Sequence, residues 1–378
     1  MKIYKKAILP CGFKASGVSC GIKKSGKLDL ALLYSSLPAK GAGLFTVNKI
    51  PAAPVILCRD FLGRGGFFRA IIANSGNANC FNGKKGLEDS LNTASILAKG
   101  LGVKKENVLV ASTGIIAKRL PLTKIKYALP ELVRKLSCKG IKEASEAIMT
   151  TDTFSKGVTA RVNIAGKPVT ICGIAKGAGM ISPDMATLLV FILTDFDLSR
   201  ASLRNALKEA VDNSFNCITV DGCMSTNDSV ILLANGAASG KRPSGKEGLK
   251  LFSKALSLVC LELAKMIVKD AEGATKFIEI KVAGAKDFNQ ARRAALSIAN
   301  STLFKTALYG ENPNFGRIAA AVGASGVNVS EKSLKIKMSS LRKKDITVNV
   351  ALGAGKANAV VYTSDLTPEY IKINAEYN

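Results

Sequence analysis

A layered α/β or α+β fold is predicted by two features of this 378-residue sequence. Short apolar runs rich in β-branched residues alternate with amphipathic stretches, and the runs often come in pairs rather than in strict βαβ order. Sheets packed between helix layers follow from that pattern. The candidate strands are Arg69–Ala73, Asn107–Ala111, Val158–Ile164, Pro168–Ile174, Leu188–Leu193, Phe277–Val282, Ile346–Leu352 and Ala357–Tyr362. A helix is expected over Leu87–Leu101, led by Glu88 and Asp89, and a second covers Leu203–Val211. A third spans Lys246–Lys269, where Leu249, Phe252, Leu256, Val259, Leu263 and Ile267 recur every three or four residues and make one apolar face. Phe288–Leu308, with its run of alanines, reads as one further helix, and Ala238–Gly245 (ASGKRPSG) as a polar loop.

Composition narrows the chemistry. Hydrophobic residues make up 47% and charged residues 22%, as in an ordinary globular enzyme. No apolar run approaches the roughly 18 residues of a membrane span. The opening MKIYKKAILPCGF lacks the h-region of a secretory signal, so a cytoplasmic protein away from membranes is expected. The nine cysteines form no C-x-x-C pair and fit free, mostly buried thiols better than a zinc cluster or a disulfide framework. A net charge of +26 raises nucleic-acid binding. Yet the lysines are scattered and no aromatics interleave with them, which favours a field that attracts anionic metabolites and no specific nucleic acid.

The absence of histidine is the hardest constraint. It excludes Ser-His-Asp and Cys-His catalysis within the chain and every histidine-based metal site; no metal is expected. A nucleophile here needs its base from a lysine, a carboxylate or an α-amine. Four segments dense in Gly, Asn, Ser and Thr stand out: NSGNAN (74–79), STGII (112–116), MTTDT (149–153) and STNDS (225–229). Most lie near a candidate strand end, where loops carry function on a rigid base; each alone also fits an Asx or Ser/Thr turn.

The stretch KGAGMISPDMATLLVFILTD (176–195) sets Thr187 between a Gly/Pro-containing loop and an apolar run. A threonine hydroxyl needs a base, and an N-terminal threonine carries one: its α-amine, with a pKa of about 7.7–8.0, is partly neutral at cellular pH. Exposing that amine requires cutting the bond after Ala186. On local sequence a strand-starting threonine remains the simpler reading.

The whole set resembles the ornithine acetyltransferase family, also called glutamate N-acetyltransferases, of arginine biosynthesis. GFKASGVSCGIK, GLFTVNKIPAAPV, ANSGNANCFNG, ASTGIIA, AIMTTDTFSK, KGAGMISPDMAT, VDGCMSTNDSV, KDAEGATKF, ENPNFGRI and INAEY occur in family order from residue 12 to 377. The resemblance implies an architecture like that of N-terminal-nucleophile aminopeptidases and a precursor that cuts itself between Ala186 and Thr187. An α chain, 1–186, and a β chain, 187–378, result and pair as α2β2. It implies a ping-pong transfer: N-acetylornithine acetylates Thr187, ornithine leaves, and glutamate takes the acetyl group. Thr113 and Gly114 fall on the family's oxyanion hole, and Thr150, Lys176, Thr187, Glu272 and Asn374 on its substrate contacts. No cofactor is implied; acetyl-CoA enters only as an optional co-substrate, and nothing separates the two cases.

Three departures stand out. The family's last contact is usually a Ser or Thr five positions after the residue matched by Asn374, whereas the sequence ends at Asn378. Phe315 stands where tryptophan is common, and Cys223-Met224 where a more polar pair is usual. Two other classes compete: a self-processing amidase, in which water resolves the acyl-enzyme, and a basic RNA-binding protein.

Overall fold

The computed structural model describes residues 1–183, 188–238 and 245–376, so Ala186 and Thr187, and most of the ASGKRPSG segment, lie outside the described residues. The chain forms two compact units, 1–177 with 184–214 and 224–263, and 178–183 with 215–223 and 264–378.

The first unit is built on a nine-stranded sheet. Its strands are β1 (Lys2–Tyr4), β2 (Phe13–Val18), β3 (Leu30–Phe45), β4 (Phe68–Asn77), β5 (Val108–Ile115), β6 (Lys156–Ile164), β7 (Lys167–Lys176), β8 (Leu189–Thr194) and β9 (Ser229–Ala234). They run in the order β1-β6-β7-β8-β9-β3-β4-β5, with β2 against β3. β8 lies at the middle of that order, and all six of its residues are buried, as a strand covered on both faces requires. Helices α1 (Ala53–Gly63), α2 (Gly83–Leu101), α3 (Leu122–Arg134), α4 (Ile141–Ala147) and α5 (Arg200–Asp212) belong to this unit. Leu97, Ile125, Leu132 and Ile141 join Leu32, Ile72 and Leu109 of the strands in one apolar core.

β3 escaped the sequence reading because Pro38, Gly41 and Gly43 interrupt its apolar pattern. Its first part pairs with β2 and β4 and its second with β9. A register break between Tyr34 and Ala39 turns it from one set of partners to the other. At Gly41 a side chain would strike the Phe68 ring at 2.6 Å, so the close approach depends on glycine.

Helix α6 spans Lys246–Lys269 as its periodicity predicts, and Phe252, Leu256, Val259, Leu263 and Ile267 are fully buried. It belongs to the first unit through Leu263 and to the second from Ala264. The second unit adds a four-stranded sheet of β10 (Phe277–Ala285), β11 (Lys335–Met338), β12 (Asp345–Ala351) and β13 (Ala357–Ser364), in the order β11-β12-β10-β13. Its helices are α7 (Phe288–Ala299), α8 (Thr302–Tyr309), α9 (Phe315–Ala324) and α10 (Pro368–Ala375).

The single helix expected over Phe288–Leu308 is therefore two. Ser301 breaks it: its backbone is extended and its side chain accepts the Phe304 N–H, which starts α8 afresh. The expected alternation of strands and helices otherwise holds, and the fold is mixed α/β with helices packed on sheets. All nine cysteines are free, five of them buried. Among the described residues no helix is long and apolar enough to cross a membrane.

Candidate functional site

Within the first unit the polar segments singled out in the sequence converge. β4 and β5 run parallel and in register, so NSGNAN and STGII emerge side by side from their ends. Ser112 donates its hydroxyl proton to Asn74 Oδ1 at 2.6 Å. Asn227, from STNDS, donates to the Ala78 carbonyl at 2.5 Å and to the Ser112 carbonyl at 2.8 Å. The buried Asn227 thus bolts a third loop to the strand end that carries Thr113 and Gly114. Gly114 has φ +131°, and a side chain there would lie 2.4 Å from the Gly76 carbonyl carbon. No residue with a Cβ fits that crossing of β4 and β5.

MTTDT and KGAG join the same cluster through Asp152, which the sequence reading did not single out. Its Oδ2 accepts the Thr150 N–H at 3.0 Å, and its Oδ1 accepts the Gly177 N–H at 2.7 Å and the Lys156 ammonium at 2.6 Å. Lys156 and Lys176 are both almost fully buried, at 0% and 2% exposure. Lys176 donates to Thr113 Oγ1 at 3.4 Å. Burial alone would raise the Asp152 carboxyl, but the charges of Lys176 and Lys156 and the Gly177 N–H outweigh it and hold it at about 2. The carboxylate is thus ionised, and it faces two buried lysine side chains. The TTDT run carried the only sequence signal for it, and that signal was equally one of an ordinary turn.

The second unit holds the other predicted contacts. Glu272 Oε2 accepts from Asn374 Nδ2 at 2.9 Å. The Glu272 N–H donates to the Ala178 carbonyl at 3.0 Å, and a side chain at Gly179 would lie 2.2 Å from the Glu272 carboxylate. Segment 178–183 is gripped further on. Asp221 accepts the N–H groups of Met180 at 2.6 Å and Ile181 at 3.0 Å, and the Tyr370 hydroxyl donates to it at 3.1 Å. Met180 has φ +55°, an uncommon conformation for a methionine, and this clamp maintains it. Burial, together with the Asp221 charge and hydrogen bond, raises the Tyr370 phenol, which keeps it protonated.

Of the predicted residues, Thr113, Gly114, Thr150 and Lys176 are thus brought together in the first unit, and Glu272 and Asn374 in the second. A buried lysine, a charged carboxylate and a hydroxyl-bearing strand end thus form one polar cluster set on loops over a rigid sheet. The family model described as the ArgJ family matches residues 14–378. The arginine biosynthesis bifunctional protein ArgJ of Geobacter sulfurreducens is 46% identical, with 97% of this chain and 98% of that protein covered. The protein of that name from Caldanaerobacter subterraneus is 44% identical, with 98% of each covered. The crystal structure of an ornithine acetyltransferase from Mycobacterium tuberculosis, complexed with ornithine, is similar at 37% identity. It spans 50% of this chain and 99% of the solved one, with a TM-score of 0.46. The chain belongs to the ArgJ family.

Proposed function

We propose that this ArgJ-family chain is a glutamate N-acetyltransferase that moves acetyl from N2-acetylornithine to glutamate in arginine biosynthesis. The chain is an enzyme, an acyltransferase. One observation carries the reading of its site: STG and KGAG, 63 residues apart between Thr113 and Lys176, meet through a buried hydrogen bond. Thr187 follows eleven positions after Lys176 on the same stretch.

In this reading the chain cuts itself at Ala186–Thr187, and the new α-amine takes the proton of the Thr187 hydroxyl. Oγ attacks the acetyl carbonyl of N-acetylornithine, the ornithine amine leaves, and glutamate's amine later attacks the acetyl-threonine ester. Splitting one amide exchange into two easier steps is the gain of covalent catalysis. Thr113 and the Gly114 N–H stabilise the oxyanion, at about 3–4 kcal/mol for a well-aimed donor. Lys176 meets a substrate carboxylate and Glu272 the ornithine side-chain ammonium, with Thr150 and Asn374 completing the contacts. No bound cofactor takes part; acetyl-CoA serves, if at all, as an alternative acetyl donor.

The sheet explains how two chains would stay together after the cut. β8 begins two residues beyond Thr187 and lies between β7 and β9, while β9 pairs with β3. β3 and β7 belong to the α chain and β8 and β9 to the β chain, so the backbone ladder would have to be unzipped to part them. Two such αβ pairs form the assembly, and the enzyme works in the cytoplasm.

Incubation with N-acetylornithine, with and without glutamate, tests the reaction. Acetylglutamate formed in step with ornithine is expected. Acetate released at the same rate without glutamate would instead make the chain an amidase.

A further inference from the structure

The segment GFKASGVSCGIK, residues 12–23, ends in a lysine that no step above uses. Asp29 fixes that end in place. It is fully buried, and its carboxylate accepts the N–H groups of Cys20 at 2.6 Å, Ile22 at 2.6 Å and Lys23 at 2.9 Å. The Asp29 main chain extends the tie: its N–H donates to the Val18 carbonyl at 3.0 Å, and its carbonyl accepts the Ser75 N–H at 2.9 Å. Residues 20–23 are thereby pinned to the NSGNAN segment. A side chain at Gly76 would lie 3.2 Å from Lys23 Cγ and 3.5 Å from its backbone nitrogen. Gly76 is also the residue that Gly114 crosses, so Lys23 borders the strand ends that carry STG.

This lysine differs from the other two cations of the cluster. Lys156 and Lys176 are buried beside Asp152, and Lys176 already donates to Thr113. Lys23 is only half-buried. Its ammonium makes one hydrogen bond among the described residues, to the Leu28 carbonyl at 2.7 Å. An ammonium has three donors, so two stay open. Burial pulls the group down to about 8; the Asp29 and Asp152 carboxylates oppose that, and the charges of Lys176 and Lys27 add to it. Lys23, Lys156 and Lys176 thus stand against Asp29 and Asp152, which leaves one cation in excess.

The chemistry of the two substrates names an anion for it. N-acetylornithine brings one carboxylate, which Lys176 meets in the reading above, and an ammonium. Glutamate brings two carboxylates, and none of the residues assigned above meets the one on its side chain. We propose that Lys23 binds the side-chain carboxylate of the acceptor, and so makes glutamate preferred over a neutral amino acid of the same shape. The inference rests on the acetyl-transfer reading above.

Glutamine is the probe, since it has the shape of glutamate without the side-chain charge. With N-acetylornithine as donor, kcat/KM is measured for each acceptor in wild type and in Lys23→Gln. Wild type should favour glutamate, and in Lys23→Gln that preference should fall at least about ten-fold, as expected for a lost hydrogen bond to a charged group. A wild type that takes glutamine as readily as glutamate, or a ratio unchanged in Lys23→Gln, overturns the role of Lys23 and leaves the transfer reading standing. A wild type that forms no acetylglutamate from N-acetylornithine overturns the transfer reading itself. Should Lys23→Gln not fold, Lys23→Met keeps an unbranched stem against Gly76 and is read by the same ratio. A fall then supports the proposal, and an unchanged ratio overturns it.

Discussion

Lys156, Lys176 and Asp152 in the first unit are buried and mutually compensated, while in the second unit Glu272 is half-buried and Asn374 exposed, joined at 2.9 Å. The first arrangement cannot relax without stranding a charge in the interior, so its geometry is fixed before any substrate arrives. The second gives up little when the Glu272–Asn374 bond is exchanged for another partner. Stabilising a developing charge needs fixed dipoles; recognising a substrate end-group needs groups that can trade partners. Under the proposed function, the first arrangement suits the former task and the second the latter.

Removing Asp152 is the largest test of that contrast. Asp152→Ala leaves Lys156 and Lys176 without their buried counter-charge, and a loss of about 3–5 kcal/mol is expected, the usual result of breaking a buried pair. Urea unfolding measures it. Glu272→Ala should leave the urea midpoint nearly unchanged; an equal loss there would erase the distinction between the units.

The same carboxylate fixes a pH dependence. Its folded value, about 2, lies below the ordinary 3.8, so its contribution is present in full above about pH 4 and fades as pH falls through about 2. The linked stability is on the order of 2 kcal/mol. The stability difference between wild type and Asp152→Asn should be flat above pH 4 and shrink below it. A difference that grows with acid would have the sign reversed.

Glu272→Gln keeps an oxygen for Asn374 but removes the negative charge. It should raise KM for N-acetylornithine by roughly ten-fold, about 1.4 kcal/mol, and leave KM for glutamate nearly unchanged. Steady-state kinetics with each substrate varied separates the two. The smallest effect is expected at the Asp221 clamp. Asp221→Ala removes the acceptor of the Met180, Ile181 and Cys223 N–H groups and of the Tyr370 hydroxyl, which should loosen 178–183 locally. Limited proteolysis should cut that segment faster, with a shift of about 1 kcal/mol or less in global stability, since local opening costs less than unfolding.

These contrasts also mark what the sequence could reveal. β8, β10 and α6 were readable because continuous β-branched runs and three-to-four spacing survive any context. β3 was not, since its Pro38 and its glycines serve a turn between two sets of partners that only the folded sheet supplies. Thr113, Gly114 and Lys176 were singled out by resemblance, within segments rich in small residues. Asp152 and Asn227 lay in the polar segments MTTDT and STNDS but were not picked out individually, because each resembles a turn residue until its partner is known. The bond from Asn227 to Ser112 spans 115 residues, a distance no local pattern reports. Thr187 was placed by resemblance and by the missing histidines rather than by its surroundings.

The mass of each chain after brief exposure to N-acetylornithine tests the central claim most directly. Two chains are expected, the shorter-numbered one ending at Ala186 and the other beginning Thr-Leu-Leu-Val. The second should gain one acetyl group on Thr187, which glutamate then removes. A single full-length chain that still transfers acetyl, or an acetyl group on any other residue, would contradict the account.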